Sequence, residues 1–355
     1  MPSPSSPIGL HRVLAPLHPH VALPQAAERL DTARELWPDE VRIAVDTLNV
    51  DAASYRQLAR KHTTGDGVDG QAVRSEVLEI IAARGKLQNP VTGSGGMLTG
   101  IVEEVGPRSE LGLAVGDRVA TLVSLSLTPL VITDGLAGWD GLSEQVPATG
   151  YAILFGRSIA ARLPADLPQP LSLMVMDVCG APALVARVVR SYAAGGTPPT
   201  IAVLGAAGKS GALSLAAAAD SGAGRRIGVV PDADEAGLLR AAELADEVVV
   251  ADARNPLDLP GAVTSAGGSV DITVVCVDVP GCEQPAVLAT APGGTIIFFS
   301  MATNFAAAAL GAEGVAADVT MLIGNGYTPG HADYALSLVR RNAGVRSLLQ
   351  ARMSH

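Results

Sequence analysis

The sequence predicts an α/β protein in two parts, a partly open β-barrel ahead of a doubly wound parallel sheet. Three observations predict it. Through roughly the first half the apolar runs are short, β-type and broken by glycine and proline, with a helical segment set among them. From about Leu171 helix and strand alternate, and the strands are apolar throughout, as strands buried on both faces are. Aromatic residues make up only 3% of the 355-residue chain while Ala, Val, Leu and Gly dominate, which suits helices packed on a sheet.

Taken in order, VRIAVDTLNV (41–50), LTGIVEEVG (98–106) and DRVATLVSL (117–125) read as strands, with a mixed stretch from Tyr151 to Phe155. Between the first two, DGQAVRSEVLEIIAAR (69–84) places Val73, Val77, Ile80 and Ile81 at helical spacing, so a helix is inserted there. In the second part strands are expected at Thr200–Leu204, Arg226–Val230, Glu247–Ala251, Asp271–Val277, Gly294–Phe299 and Val319–Ile323. The boundary is expected near residue 175, giving a catalytic or substrate domain over 1–175 and a nucleotide-binding domain with a C-terminal helix over 176–355. No repeat of fixed period is visible, and the Pro/Ser-rich start is the sole low-complexity piece.

A formal charge of −10 argues against a nucleic-acid or anionic-membrane partner and leaves a small-molecule substrate as the expected one. Cys179, Cys276 and Cys282 show no CxxC spacing, so neither a disulfide framework nor a structural zinc site is indicated. The N-terminus has no signal-peptide pattern and no apolar run reaches the length of about 18 residues that spans a bilayer, so a cytoplasmic location is expected.

Two glycine-dense loops carry the functional reading. TIAVLGAAGKSGALSLAAAAD gives strand, turn and helix in that order, the context that a dinucleotide fingerprint requires. Gly205 permits the tight exit from the strand, Gly208 lets the backbone approach a pyrophosphate, and Gly211 lets the helix pack closely on the sheet. The helix N-terminus then offers unpaired N–H groups to the phosphates, flanked by Ala207, Lys209 and Ser210. Lys209 and Ser210 also suggest a triphosphate P-loop, but the glycine that motif needs five residues before Gly208 is Val203 here. This half is therefore expected to be a Rossmann domain. Asp232, after the second strand, is the expected acceptor for the adenosine ribose hydroxyls, which favours NAD with NADP as the second choice; a solvated turn aspartate is the plainer reading of it.

The other loop, QNPVTGSGGMLTG (88–100), opens a strand and supplies no helix dipole, so it reads as part of a substrate wall. A small barrel followed by a nucleotide-binding sheet, with GDRVA (116–120) after IVEEVG, resembles the medium-chain dehydrogenase/reductase superfamily and its chaperonin-10-like catalytic domain. In zinc-dependent members a Gly-His-Glu triplet precedes the strand equivalent to 101–105. Here Gly95, Gly96 and Met97 stand there, and the expected ligand cysteine is replaced near Asn49. Cys179 falls where a third ligand would be, but one soft ligand makes no site that needs three, so no metal is expected.

The runs RGKLQNPVTGSGGMLTGIVEEVG (84–106), VATLVSLSLTPL (119–130) and MDVCGAPALVARVVR (176–190) closely resemble the L-erythro-3,5-diaminohexanoate dehydrogenase family of lysine fermentation. That resemblance implies oxidation of the C3 amine by NAD or NADP and hydrolysis of the imine to 5-amino-3-oxohexanoate and ammonia. Such chemistry calls for a group to hold a second ammonium, a basic group for the carboxylate and a base that activates water.

Lys86 and Arg84 are candidates for the carboxylate, with Lys86 also a candidate base and each of them, as a loop cation, equally readable as solvated. Asp51 is a candidate for an ammonium or a proton, with a turn residue or the N-cap of a helix over AASYRQLAR as the plainer reading. Asn89, Thr92, Ser94, Ser124, Ser126 and Cys179 are candidate lining groups. A zinc-free NADPH-dependent quinone or enoyl reductase on the same scaffold is the alternative, less suited to the polar QNPVTGS and SLSLTP runs. A homodimer is the expected assembly.

Overall fold

A computed structural model of the chain describes residues 5–16, 23–65, 67–300, 302–324 and 327–353. The chain divides into two compact units, Met1–Ala165 and Asp166–His355.

In the first unit, strands β1 (Val13–Pro16) and β2 (Ala27–Leu30) form an antiparallel pair, and β3 (Val41–Asn49) begins the main sheet. Helix α1 (Ala52–Lys61), the short pair β4 (Thr63–Thr64) and β5 (Gly67–Val68), and α2 (Gly70–Arg84) follow. Strands β6 (Met97–Val105), β7 (Arg118–Thr121), β8 (Leu130–Ile132), β9 (Gln145–Leu154) and β10 (Ala160–Arg162) complete an antiparallel sheet of order β10-β7-β6-β3-β9-β8. Its ends, β10 and β8, are not paired to each other among the described residues, so the expected barrel is open. The long central strands carry the core: Val41, Ile43, Leu48, Leu98, Val102, Val146 and Leu154 are buried, and α2 lays Val73, Val77, Ile80 and Ile81 against them. The expected helix over 69–84 is therefore present, with Asp69 as N-cap accepting from Ala72 N at 3.0 Å and Gly85 closing it at φ +63°. The strand expected over 117–125 stops at Thr121, because Ser124 starts a 3-10 turn over Leu125–Leu127.

A buried ion pair fastens the start of this unit. Arg12 donates from Nε to Glu40 Oε1 at 2.7 Å and from Nη2 to Oε2 at 2.6 Å, and to the backbone carbonyls of Ala33 and Glu35 at 2.7 Å each. His11 adds a contact to the same carboxylate at 2.8 Å. Burial pushes the Glu40 carboxyl upward, but the hydrogen bonds from Arg12, His11 and the Trp37 N–H outweigh it and hold the group below 4.5.

The second unit opens with α3 (Gln169–Met176) and α4 (Gly180–Ala194) and then alternates: β11 (Thr200–Leu204), α5 (Lys209–Asp220), β12 (Arg225–Val230), α6 (Ala233–Ala241), β13 (Glu247–Val250), α7 (Asp258–Gly267), β14 (Ile272–Val275), α8 (Glu283–Ala289), β15 (Gly294–Phe298), α9 (Phe305–Gly314), β16 (Val319–Ile323), α10 (His331–Arg341) and α11 (Ala343–Met353). All six strands run parallel in the order β13-β12-β11-β14-β15-β16, the doubly wound arrangement. The division between units falls earlier than the expected boundary near residue 175, because α3 packs on α10 and α11 and so belongs to the second unit. No single helix among the described residues is long and apolar enough to cross a membrane.

Gly96 tests how the first unit is held together. Its φ is +90°, and a Cβ there would lie 1.9 Å from Asn49 O and 2.7 Å from Asp51 N. Gly96→Ala is expected to cost about 3 kcal/mol, from overpacking and the left-handed backbone together, and to lower the thermal midpoint measurably. An unchanged midpoint in a calorimetric scan would mean that the two backbones separate freely.

Candidate functional site

In the second unit β11 ends at Leu204 and Gly205 turns the chain at φ +77°. Gly211 packs the start of α5 against this turn: a Cβ on it would meet Gly205 O at 2.2 Å. Gly208 is the N-cap of α5, and no side chain caps that helix, so its first N–H groups face outward with their partial positive charge. A cavity of about 370 Å³ opens at the carboxyl ends of β11 to β14. Gly205, Gly208, Val230, Glu235, Arg254 and Arg352 are among its lining residues. Glycine at the closest backbone approach, an uncapped helix N-terminus and apolar walls at the switch point of the sheet fit a dinucleotide.

Not every expected cofactor residue faces that cavity. Ala207 is buried, and its carbonyl accepts from Arg352 Nε at 2.7 Å. Lys209 turns away to pair with Asp177 Oδ2 at 3.0 Å, and Ser210 is the second residue of α5. Asp232 is exposed and caps α6, accepting from Glu235 N at 2.9 Å. It does not line the cavity; Glu235, one helical turn on, does. Arg352 on α11 grips Glu235 from Nη2 at 2.7 and 2.5 Å, and Arg254 is paired with Asp252 at 2.9 Å on each oxygen. Sequence reasoning missed both pairs. The D-x-x-E pattern of Asp232 and Glu235 is a cap signature that would have assigned Asp232 to the helix.

In the first unit the loop 88–96 is anchored to α1. Asn89, buried, donates to Gln57 Oε1 at 2.8 Å and accepts from the N–H groups of Val91 at 2.8 Å and Thr92 at 3.3 Å. Thr92 Oγ1 lies 2.6 Å from Ser54 Oγ and accepts from Ser94 N at 3.3 Å, while Ser94 O accepts from Asn89 N at 2.8 Å. Gly95 and Gly96 then pass between two segments: a Cβ on Gly95 would meet Leu87 O at 2.0 Å and Ser126 N at 2.9 Å, and Gly96 O accepts from Leu125 N. Ser124 Oγ accepts from Ser126 N at 3.2 Å and from Ser126 Oγ at 2.8 Å. The expected wall residues Asn89, Thr92, Ser94, Ser124 and Ser126 are thus gathered around one backbone crossing, but most of their polar atoms bind each other.

Asp51 stands at the same crossing. It caps α1, with Oδ1 accepting from Ser54 N at 3.0 Å, so the plainer sequence reading holds for that oxygen. Its Oδ2 is buried and has no hydrogen-bond partner.

The expected carboxylate clamp of Lys86 and Arg84 does not assemble. Lys86 is wholly buried and donates from Nζ to Pro24 O at 2.7 Å and Gln25 O at 3.0 Å, fastening the segment before β2. Burial, with the Arg84 charge adding to it, pushes its ammonium down to about 8. Arg84 binds Gln88 Oε1 at 2.9 Å and lines a groove with Lys61, His62 and Glu76 instead. Cys179, in the second unit, is buried at the start of α4, and burial pushes its thiol up to about 12, so it is a neutral packing group at physiological pH. Among the described residues no three His, Cys, Asp or Glu side chains lie close enough to hold a metal ion.

A parallel sheet of this order with its glycine turn, preceded by an open antiparallel sheet, defines the medium-chain dehydrogenase/reductase fold. Solved structures agree at the level of fold: a mycobacterial protein complexed with NADPH matches at TM-score 0.53 with 15% identity, covering 93% of this chain and 92% of its own. An alcohol dehydrogenase from Thermus sp. ATN1 matches at 0.51 with 17% identity, covering 90% and 87%. A family model described as the L-erythro-3,5-diaminohexanoate dehydrogenase N-terminal domain matches residues 11–164. The enzyme of that name from Fusobacterium nucleatum subsp. nucleatum is 43% identical over 346 residues, 96% of each chain. That from Acetoanaerobium sticklandii is 41% identical over 348 residues, 96% of this chain and 97% of its own. The chain belongs to the L-erythro-3,5-diaminohexanoate dehydrogenase family.

Two measurements follow from this geometry. Gly208→Asp places a carboxylate at the phosphate approach and is expected to weaken dinucleotide binding roughly 100-fold or more in a calorimetric titration while the fold persists; unchanged affinity would remove the glycine turn from the site. The second concerns Lys86, whose native ammonium titrates near 8 against an ordinary 10.5. Below pH 8 both states are protonated and the native state carries the burial penalty. As pH rises from 8 to 10.5 the native state sheds the proton first, so stability rises over that window. Lys86→Met is expected to lack this rise, and parallel stability profiles for the two proteins would contradict it.

Proposed function

We propose that this chain oxidises the C3 amine of L-erythro-3,5-diaminohexanoate and releases 5-amino-3-oxohexanoate and ammonium, with NAD preferred as the acceptor. The second unit serves as the dinucleotide domain and the first as the substrate domain. The observation that carries the reading is the glycine turn and its cavity in a chain 43% identical, over nearly its full length, to a dehydrogenase of that name.

When bound, the nicotinamide supplies a two-electron acceptor for the hydrogen on C3. Overall C3 gives up its hydrogen as hydride and the attached ammonium gives up a proton, leaving an iminium, and water then replaces nitrogen to give the ketone and ammonium. The uncapped N-terminus of α5 would hold the pyrophosphate, and Gly205 and Gly208 would let it approach the backbone. Asp51 Oδ2 accepts a hydrogen bond from a substrate ammonium, since an unpartnered buried carboxylate oxygen calls for a donor and the substrate carries two cationic nitrogens. Asn89, Thr92, Ser124 and Ser126 act as positioning residues that keep the backbone crossing, and hence Asp51, in place. Lys86 holds the 24–25 segment to the end of α2 rather than touching substrate.

The test is NADH formation by purified protein with 3,5-diaminohexanoate, beside a quinone with NADPH as control. Turnover of the quinone alone would favour the reductase reading. Asp51→Asn keeps the helix cap and removes the charge, so it is expected to raise KM for the diamine about 10- to 100-fold with little change in NADH affinity. An unaltered KM would leave Asp51 as a cap alone.

A further inference from the structure

We infer that the Glu235–Arg352 pair, joining α6 to the C-terminal helix α11, discriminates NAD from NADP in this protein, and that Asp232 does not. The inference rests on the dinucleotide reading of the cavity and goes beyond it by assigning the 2′ position of the adenosine ribose to named groups.

The carboxylate expected to meet the ribose is the first acidic residue after the second strand of the sheet. Here that residue, Asp232, is exposed, engages the backbone N–H of Glu235 and lies outside the cavity lining. Glu235 lies inside it. Arg352 ties this carboxylate to the glycine turn: one guanidinium reaches both Ala207 O at 2.7 Å and the two oxygens of Glu235 at 2.7 and 2.5 Å. Glu235 is therefore one side chain's breadth from the glycine turn, at the start of the helix that follows β12, where this fold would place the ribose of a bound dinucleotide. The remaining carboxylate of the cavity, Asp252, follows β13, one strand further out, and is closed off by two bonds from Arg254 and one from its N–H.

The chemistry of the pair sets the direction. A carboxylate at the 2′ position accepts from a hydroxyl and repels a phosphate dianion. Arg352 fixes its orientation and reduces its charge, so the repulsion is moderate and NADP is disfavoured without being shut out. Neutralising Glu235 leaves Arg352 free to pair with a 2′-phosphate, which converts the repulsive element into an attractive one.

The experiment is calorimetric titration of the full-length protein with NADH and NADPH, for the wild type and for Glu235→Gln, Glu235→Ala and Asp232→Asn, each checked for its thermal midpoint. The wild type is expected to bind NADH more tightly. Both Glu235 variants are expected to move the NADPH-to-NADH affinity ratio toward NADPH by about tenfold or more, and Asp232→Asn, which still caps α6, to leave the ratio within about twofold. A ratio that moves with Asp232 and not with Glu235, or a wild-type preference for NADPH, overturns the assignment while the dinucleotide site stands. Failure of the wild type to bind either nucleotide overturns both.

Discussion

Close approach of one backbone to another at Gly95 and Gly96 is the constraint on which the first unit depends. The carbonyl of Asn49 and the N–H of Asp51 occupy the space that a side chain on Gly96 would need, and Leu87 O and Ser126 N occupy that of Gly95. Four separate segments, 49–51, 87–89, 94–96 and 124–126, are thereby brought into one crossing, and the polar side chains nearby are oriented by it. Ser54 and Gln57 on α1 then hold the loop through Thr92 and Asn89. Gly96 thus makes room for peptide groups, and this place in the scaffold serves packing.

The second unit uses glycine differently. Gly205 turns the chain and Gly211 lets α5 sit on the turn, yet the space gained at Gly208 opens to a cavity rather than to another segment of chain. A glycine loop that opens a strand ends in mutual satisfaction of its peptide groups. One that opens a helix leaves N–H groups unpaired by geometry, because the first turn has no preceding carbonyls to bond. That difference makes the loop before α5, and not the loop before β6, the one suited to an anion.

Much of this was legible in the sequence and the rest was not, for identifiable reasons. Strands β11 and β16 coincide with the expected spans because each is a five-residue apolar run between breaks, and α2 was readable from Val73, Val77, Ile80 and Ile81. The pair β1 and β2 and the two-residue β4 and β5 were missed because they are too short for a period-two pattern to accumulate. Lys86 looked like a loop cation suited to a carboxylate, since nothing local shows that carbonyls 61 and 62 residues away close over it. The Glu235–Arg352 contact spans 117 residues and has no sequence signature at all.

Most ion pairs of this chain are exposed, such as Arg118–Asp46 and Arg254–Asp252, and a few charged groups are enclosed instead. Arg12 is fully buried with a bidentate carboxylate and backbone carbonyls around it, so its hydrogen-bonding capacity is filled, and Lys86, also buried, spends two of its three N–H donors on backbone carbonyls. A group so satisfied can stabilise the fold but has nothing left with which to meet a ligand. Asp51 differs in one atom, Oδ2, and Glu235 differs in lying on a cavity wall. An incomplete partner set inside an otherwise satisfied structure costs stability, since a buried acceptor without a donor forfeits about 1–3 kcal/mol. That cost is recovered wherever a ligand supplies the missing donor, and the same reasoning applies to Ser214 Oγ, Ser221 Oγ and His331 Nε2, so an unpartnered atom marks a site only where other features of the fold converge on it.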